Sequence, residues 1–133
     1  MARLSPIVGC LAGAAALLLL GAAQRPSALA QTSPGLWEIR GLPNVGTSVR
    51  QCVADTALLA RVEHRGQSCK QAVLSDNGTS TVIDYTCTNG GFGRSKLTLL
   101  TPRSLRIATQ GISANYPFNY VLQAKRIGNC PAH

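Results

Sequence analysis

The sequence is short of the motifs through which small proteins perform covalent chemistry. It has no C-x-x-C pair, which removes the usual catalytic dithiol and the commonest structural zinc spacing. No G-x-S-x-G elbow is present, so Ser33, Ser48, Ser68, Ser75, Ser80, Ser95, Ser104 and Ser113 have no nucleophile setting. Residues 89–93 (NGGFG) hold three glycines but open no helix and carry no Lys-Ser/Thr pair, which excludes a phosphate loop. There is no internal repeat and no βαβ unit. Acidic residues number only five and histidines two. No nucleophile–base–orienter set can be assembled from these groups, so the reading is of a non-enzyme with no catalytic, cofactor or metal residues.

What is present begins with an export pattern. Arg3 supplies a short positive region, residues 7–23 an apolar run, and Ala28-Leu29-Ala30 an A-x-A cleavage site before Gln31. That three-part order predicts a signal peptide over residues 1–30, with the folded domain at residues 31–133. The apolar run is interrupted by glycine and is short for a membrane span. Cys10 precedes the apolar core instead of following it, so it is read as part of the leader and not as a lipidation site. Removal of 30 from 133 residues leaves 103, enough for a single domain. With Arg3 and Arg25 gone, eleven of thirteen basic residues face five acids, a formal charge of +6. The cations are spread singly, with no run of five, so charge argues solubility and general attraction to anions before it argues a site. There is no specific nucleic-acid signal and no transmembrane segment in the mature chain.

Four cysteines stay in that chain: Cys52, Cys69, Cys87 and Cys130. An even number in a short exported chain reads as two disulfides, with three connectivities open. Neither His64 nor His133 stands at ligand spacing from a cysteine, which disfavours a metal.

The remainder reads as strands. Residues 35–40 alternate with Trp37 and Ile39 inward, and the single Trp is expected to give its indole N–H a partner in the core. Residues 48–53 form a second strand. Asp55 or Thr56 caps one short helix with Leu58, Leu59 and Val62 as its apolar stripe and Gly66 as its stop. His64 is read as a solvated residue on that helix. Residues 68–88 are a hairpin about Asn77-Gly78, followed by strands near 96–100, 104–109 and 118–127. The fold class is therefore mainly β (α+β): a curled antiparallel sheet or partial barrel of six or seven short strands, one short helix and two disulfides.

A two-residue Asn77-Gly78 turn would place Cys69 opposite Thr86, and would gather Ala72, Leu74, Ile83, Tyr85 and Cys87 on one face. Neighbours on a strand point to opposite sides, so Cys69 and Cys87 would not bond. The expected pairs are then Cys52–Cys69 and Cys87–Cys130.

Pro34-Gly35-Leu36-Trp37-Glu38, Cys52-Val53 before the helix, Tyr85-Thr86-Cys87 and a terminal Arg126-Ile127-Gly128-Asn129-Cys130 follow in that order. The set resembles the domain of unknown function 3617 family across essentially the whole mature chain. One departure is Ala54-Asp55-Thr56, where that family often has Thr-Pro-Glu after the first cysteine. The resemblance implies a small exported bacterial β-rich protein and brings no activity or ligand. The expected role is a non-enzymatic periplasmic or secreted binding or envelope-associated domain, its partner an anionic envelope component or a secreted protein. The alternatives are an inhibitor of a secreted acidic enzyme and, last, a small hydrolase.

Overall fold

The computed structural model describes residues 2, 3, 9 and 27–132. The leader expected over residues 1–30, Cys10 included, lies outside the described residues except at positions 2, 3, 9 and 27–30. Among the described residues no helix is long and apolar enough to cross a membrane.

Seven strands form one antiparallel sheet: β1 (Gly35–Arg40), β2 (Val49–Val53), β3 (Cys69–Asp76), β4 (Ser80–Cys87), β5 (Phe92–Thr101), β6 (Ser104–Ser113) and β7 (Tyr116–Gly128). Their order in space is β2-β1-β7-β6-β5-β4-β3. β3 through β7 run as a meander, and β1 then pairs with β7 at the far side of the chain. β2 and β3 are the edges, so the sheet is not closed.

A 3₁₀ helix, Thr56–His64, connects those two edge strands and lies on one face. Asp55 caps it by accepting the Ala57 N–H at 2.9 Å, as its short carboxylate predicts. The helix touches β2 at one edge and also β4, β5 and β6. In a flat sheet β2 and β4 would be about 24 Å apart, at roughly 4.8 Å per strand, too far for one helix about 10 Å wide. The sheet therefore curls around the helix. A kink at Arg61 (φ −123°, ψ 39°) turns the last residues so that Val62 and His64 are both buried.

The inner face carries the core. Trp37, Ile39, Ile83, Leu97, Leu105, Ile107 and Leu122 are fully enclosed and meet Leu59, Ala60 and Val62 of the helix. Each such aliphatic side chain contributes about 1.5–3 kcal/mol of transfer free energy. Trp37 donates its indole N–H to the Ser33 carbonyl at 3.1 Å, the partner its burial required. A turn at Leu29–Gln31 packs beneath this core, where Ala28 is buried and gives its N–H to the Asp76 carboxylate.

The β3–β4 hairpin departs from the expected register. Asn77 does not occupy the turn centre. Its carboxamide instead accepts the N–H groups of Thr79 and Ser80, and Asp76 accepts that of Gly78, so Gly78-Thr79 form the loop. Asp76 then faces Thr81, two positions from the expected alignment. A bulge at Leu74 takes one position back, and Cys69 falls opposite Cys87.

The disulfides follow from this. They are Cys69–Cys87 and Cys52–Cys130, which corrects the expected Cys52–Cys69 and Cys87–Cys130. Cys69–Cys87 closes the open end of the hairpin, and Cys52–Cys130 ties edge strand β2 to the chain end beyond β7. The expected apolar face is corrected as well: Ala72 faces Asp84 on the outer side, and Leu74 sits in the bulge half exposed.

Candidate functional site

Two regions concentrate chemistry: one end of the inner face and the whole of the outer face.

At the inner end His64 is only 1% exposed, contrary to its reading as a solvated helix residue. The kink at Arg61 explains the difference, because an unbroken stripe would have turned His64 outward. Its Nδ1 lies 2.9 Å from the Tyr85 hydroxyl, and Phe118 stacks edge-on to the ring at 5.8 Å. Behind them Ser95 hydrogen-bonds to Thr109 at 2.8 Å and donates to the Ala60 carbonyl. Tyr120 donates to the Glu63 carboxylate at the rim.

The inner part of this cluster is closed to solvent. Burial pushes the Tyr85 phenol up to about 12, helped by the Glu63 charge. The Tyr120 phenol is raised further, by burial first and then by its bond to Glu63. His64 Nε2 is buried with no hydrogen-bond partner among the described residues. Two of the three glycines in residues 89–93 explain the sealing: a Cβ on Gly91 would lie 2.2 Å from Nε2, and one on Gly93 2.6 Å from the Tyr85 hydroxyl. His64 and the Tyr85 side chain are thus enclosed, while Tyr120 stays half-buried at the rim. Outside the seal, a groove of about 410 Å³ is lined by Leu42–Val45, Glu63, Arg65, Phe118 and Tyr120.

The outer face is different. Paired residues on adjacent antiparallel strands share a side, so the ladders can be read as rows across the sheet. Lys70, Thr86, Phe92, Ile112 and Pro117 form the first row. Asp84, Arg94, Gln110 and Asn119 form the second, and Val82, Lys96, Ala108 and Val121 the third. Arg106, Gln123 and Arg40 follow in the fourth, and Lys125, Glu38 and Arg50 in the fifth.

Seven of the eleven cations after residue 30 lie on this face with only two of the five acids, a net +5 of the total +6. Both acids are occupied by arginines of the same face. Arg94 grips Asp84 through two bonds of 2.6 and 2.9 Å, and Glu38 takes Arg40 at 3.0 Å with Arg50 at 3.9 Å. The Arg94 guanidinium holds the Asp84 carboxyl below its usual range. Lys96, Arg106 and Lys125 have no ion-pair partner among the described residues. Each stands two residues off its neighbour's pairing partner, so the three make a diagonal across β5, β6 and β7. Beside Lys125 a depression of about 330 Å³ is lined by Glu38, Arg40, Leu100, Gln123 and Ile127 among others.

This face escaped the sequence reading because the cations are separated in the chain and converge only through register. The available signal was their parity: Arg94, Lys96, Arg106 and Lys125 each occupy the polar position of an alternating strand.

The four cysteines hold this scaffold and form no site. Among the described residues no group of three or more His, Cys, Asp or Glu is placed to hold a metal. Together these features define a small, disulfide-stapled, open-sheet domain whose charge is gathered on the face its core leaves bare. The chain belongs to the DUF3617 family of proteins of unknown function, whose model matches residues 32–130. No curated protein and no solved structure matches it.

Proposed function

We propose that this protein is a non-enzymatic, exported domain that uses its outer sheet face to bind an anionic component of the cell envelope. The observation that carries the reading is the partition of charge. The outer face holds net +5, and everything else after residue 30 holds net +1. Solubility alone needs no such segregation, whereas attraction to an anionic partner is strengthened by collecting like charge on one side. The leader-like residues 1–30 and the two disulfides support a location outside the cytosol, periplasmic or secreted. The inner-end cluster supports the non-enzymatic part, because His64 and Tyr85 are enclosed beneath the sheet end.

Binding of purified protein to soluble polyphosphate and to vesicles of 30% phosphatidylglycerol in phosphatidylcholine, measured against salt, tests this reading. We expect association with at least one probe that weakens steeply as salt rises. No association with either at low salt overturns it. Stoichiometric capture of an acidic hydrolase with loss of its activity would replace it with the inhibitor reading.

A further inference from the structure

We infer that the anionic partner of the outer face is a lipid bilayer surface, and that the row Phe92–Ile112–Pro117 enters its headgroup region. This deepens the proposed anion-binding function and rests on it.

The first observation is where the outer face stops being charged. Phe92 pairs with Ile112 and Ile112 with Pro117, so three apolar side chains lie abreast on β5, β6 and β7 at one end of the face. Phe92 is 48% exposed. At the adjoining hairpin tip Tyr116 is 75% exposed, but it neighbours Pro117 on β7 and so points to the other side of the sheet. Apolar side chains such as Phe92, Ile112 and Pro117 favour the boundary between acyl chains and headgroups.

The second observation is distance. Arg94 and Lys96 follow Phe92 on the same side of β5, about 7 and 13 Å along the strand at roughly 3.3 Å per residue. Arg106 and Lys125 continue the cationic field across β6 and β7. Apolar residues inserted by some 5–10 Å would therefore bring the nearest cations to the level of lipid phosphates. An insertion edge backed by a charged field is the arrangement of a peripheral membrane-binding surface.

The third observation separates a bilayer from a linear polyanion. A nucleic acid or an anionic glycan strand is held in a groove that tracks its backbone, and bases add stacking on aromatic platforms. Here the cations are distributed over several rows of a face that curls away from its core, and Phe92 is the one aromatic residue in those rows. Such a surface fits a broad, yielding plane better than a thread. Each unpaired cation near an anionic leaflet adds about fivefold in affinity, so Lys96, Arg106 and Lys125 give useful avidity without a pocket.

The test compares Phe92→Ser and Pro117→Ser with the parent protein on two probes, the 30% phosphatidylglycerol vesicles and soluble polyphosphate. Both positions are exposed, and melting curves confirm that each variant folds. If Phe92→Ser fails to fold, Pro117→Ser alone decides. We expect each substitution to weaken vesicle binding several-fold while polyphosphate binding stays within twofold. Vesicle binding unchanged by these substitutions overturns the bilayer inference and leaves an anion-binding face intact. Polyphosphate binding without vesicle binding does the same. Absence of binding to both probes removes this inference together with the proposed function.

Discussion

Lys96 and Arg106 stand diagonally across the β5–β6 ladder, on the bare side of the sheet, and neither is paired with a carboxylate. Both acids of that face are already bound, Asp84 to Arg94 and Glu38 to Arg40, so the field of these cations is not cancelled locally. The expected behaviour of the face follows from which charges are committed and which are not.

Asp84→Asn releases Arg94 into that field. The pair is exposed on both sides, so its loss should leave the melting temperature near the parent value. Affinity for anionic vesicles should rise about fivefold, the value of one added cation near an anionic surface. Co-sedimentation at fixed low salt checks this, and an unchanged or weakened association would contradict it.

The disulfide pattern is open to direct mapping. Digestion under non-reducing conditions should yield linked peptides holding Cys52 with Cys130 and Cys69 with Cys87. In the chain-entropy model a loop of 78 residues is worth about 4.5 kcal/mol and one of 18 about 3. Cys52→Ser with Cys130→Ser should therefore lower the urea midpoint more than Cys69→Ser with Cys87→Ser.

Gly91 stands against His64 with no room for a methyl group. Gly91→Ala should cost about 1–3 kcal/mol, because both the ring and the strand are fixed by neighbours. His64→Ala in the same chain should recover part of that loss, and a double-mutant cycle by urea unfolding measures the coupling. Strict additivity of the two changes would contradict the contact.

Tyr85 gives the protein an alkaline limit. Its phenol is raised in the folded state to about 12 from an ordinary value near 10. A raised value means that the folded state holds the proton more tightly than the unfolded chain. The associated stability is complete below pH 10 and is lost between about 10 and 12, at up to about 1.4 kcal/mol per pH unit. Urea midpoints taken across that window should fall less steeply for Tyr85→Phe than for the parent.

Much of the scaffold was legible in the residues. Alternation in residues 35–40 placed Trp37 and Ile39 inward, where they are buried. The helix cap at Asp55 was read from its short oxygen side chain and is present. Two features were hidden for identifiable reasons. The hairpin register depends on Asn77 spending its side chain on the turn and on a bulge at Leu74, neither of which alternation reveals. His64 was read outward because a regular helix was assumed, and the Arg61 kink reverses it. The cationic face was hidden differently, since it exists only once strand order brings residues 94, 96, 106 and 125 together.

The central claim is that position and not total charge governs binding, and two variants of equal net charge test it directly. Lys96→Gln with Arg106→Gln removes two cations from the outer face, and Arg65→Gln with Arg103→Gln removes two from elsewhere. On the 30% phosphatidylglycerol vesicles at fixed salt, the first pair should lose about 30-fold in affinity, two cations at about 1 kcal/mol each. The second pair should stay within about threefold of the parent, the residue of long-range attraction. Equal losses from the two pairs would contradict a specific face and return the protein to general electrostatics.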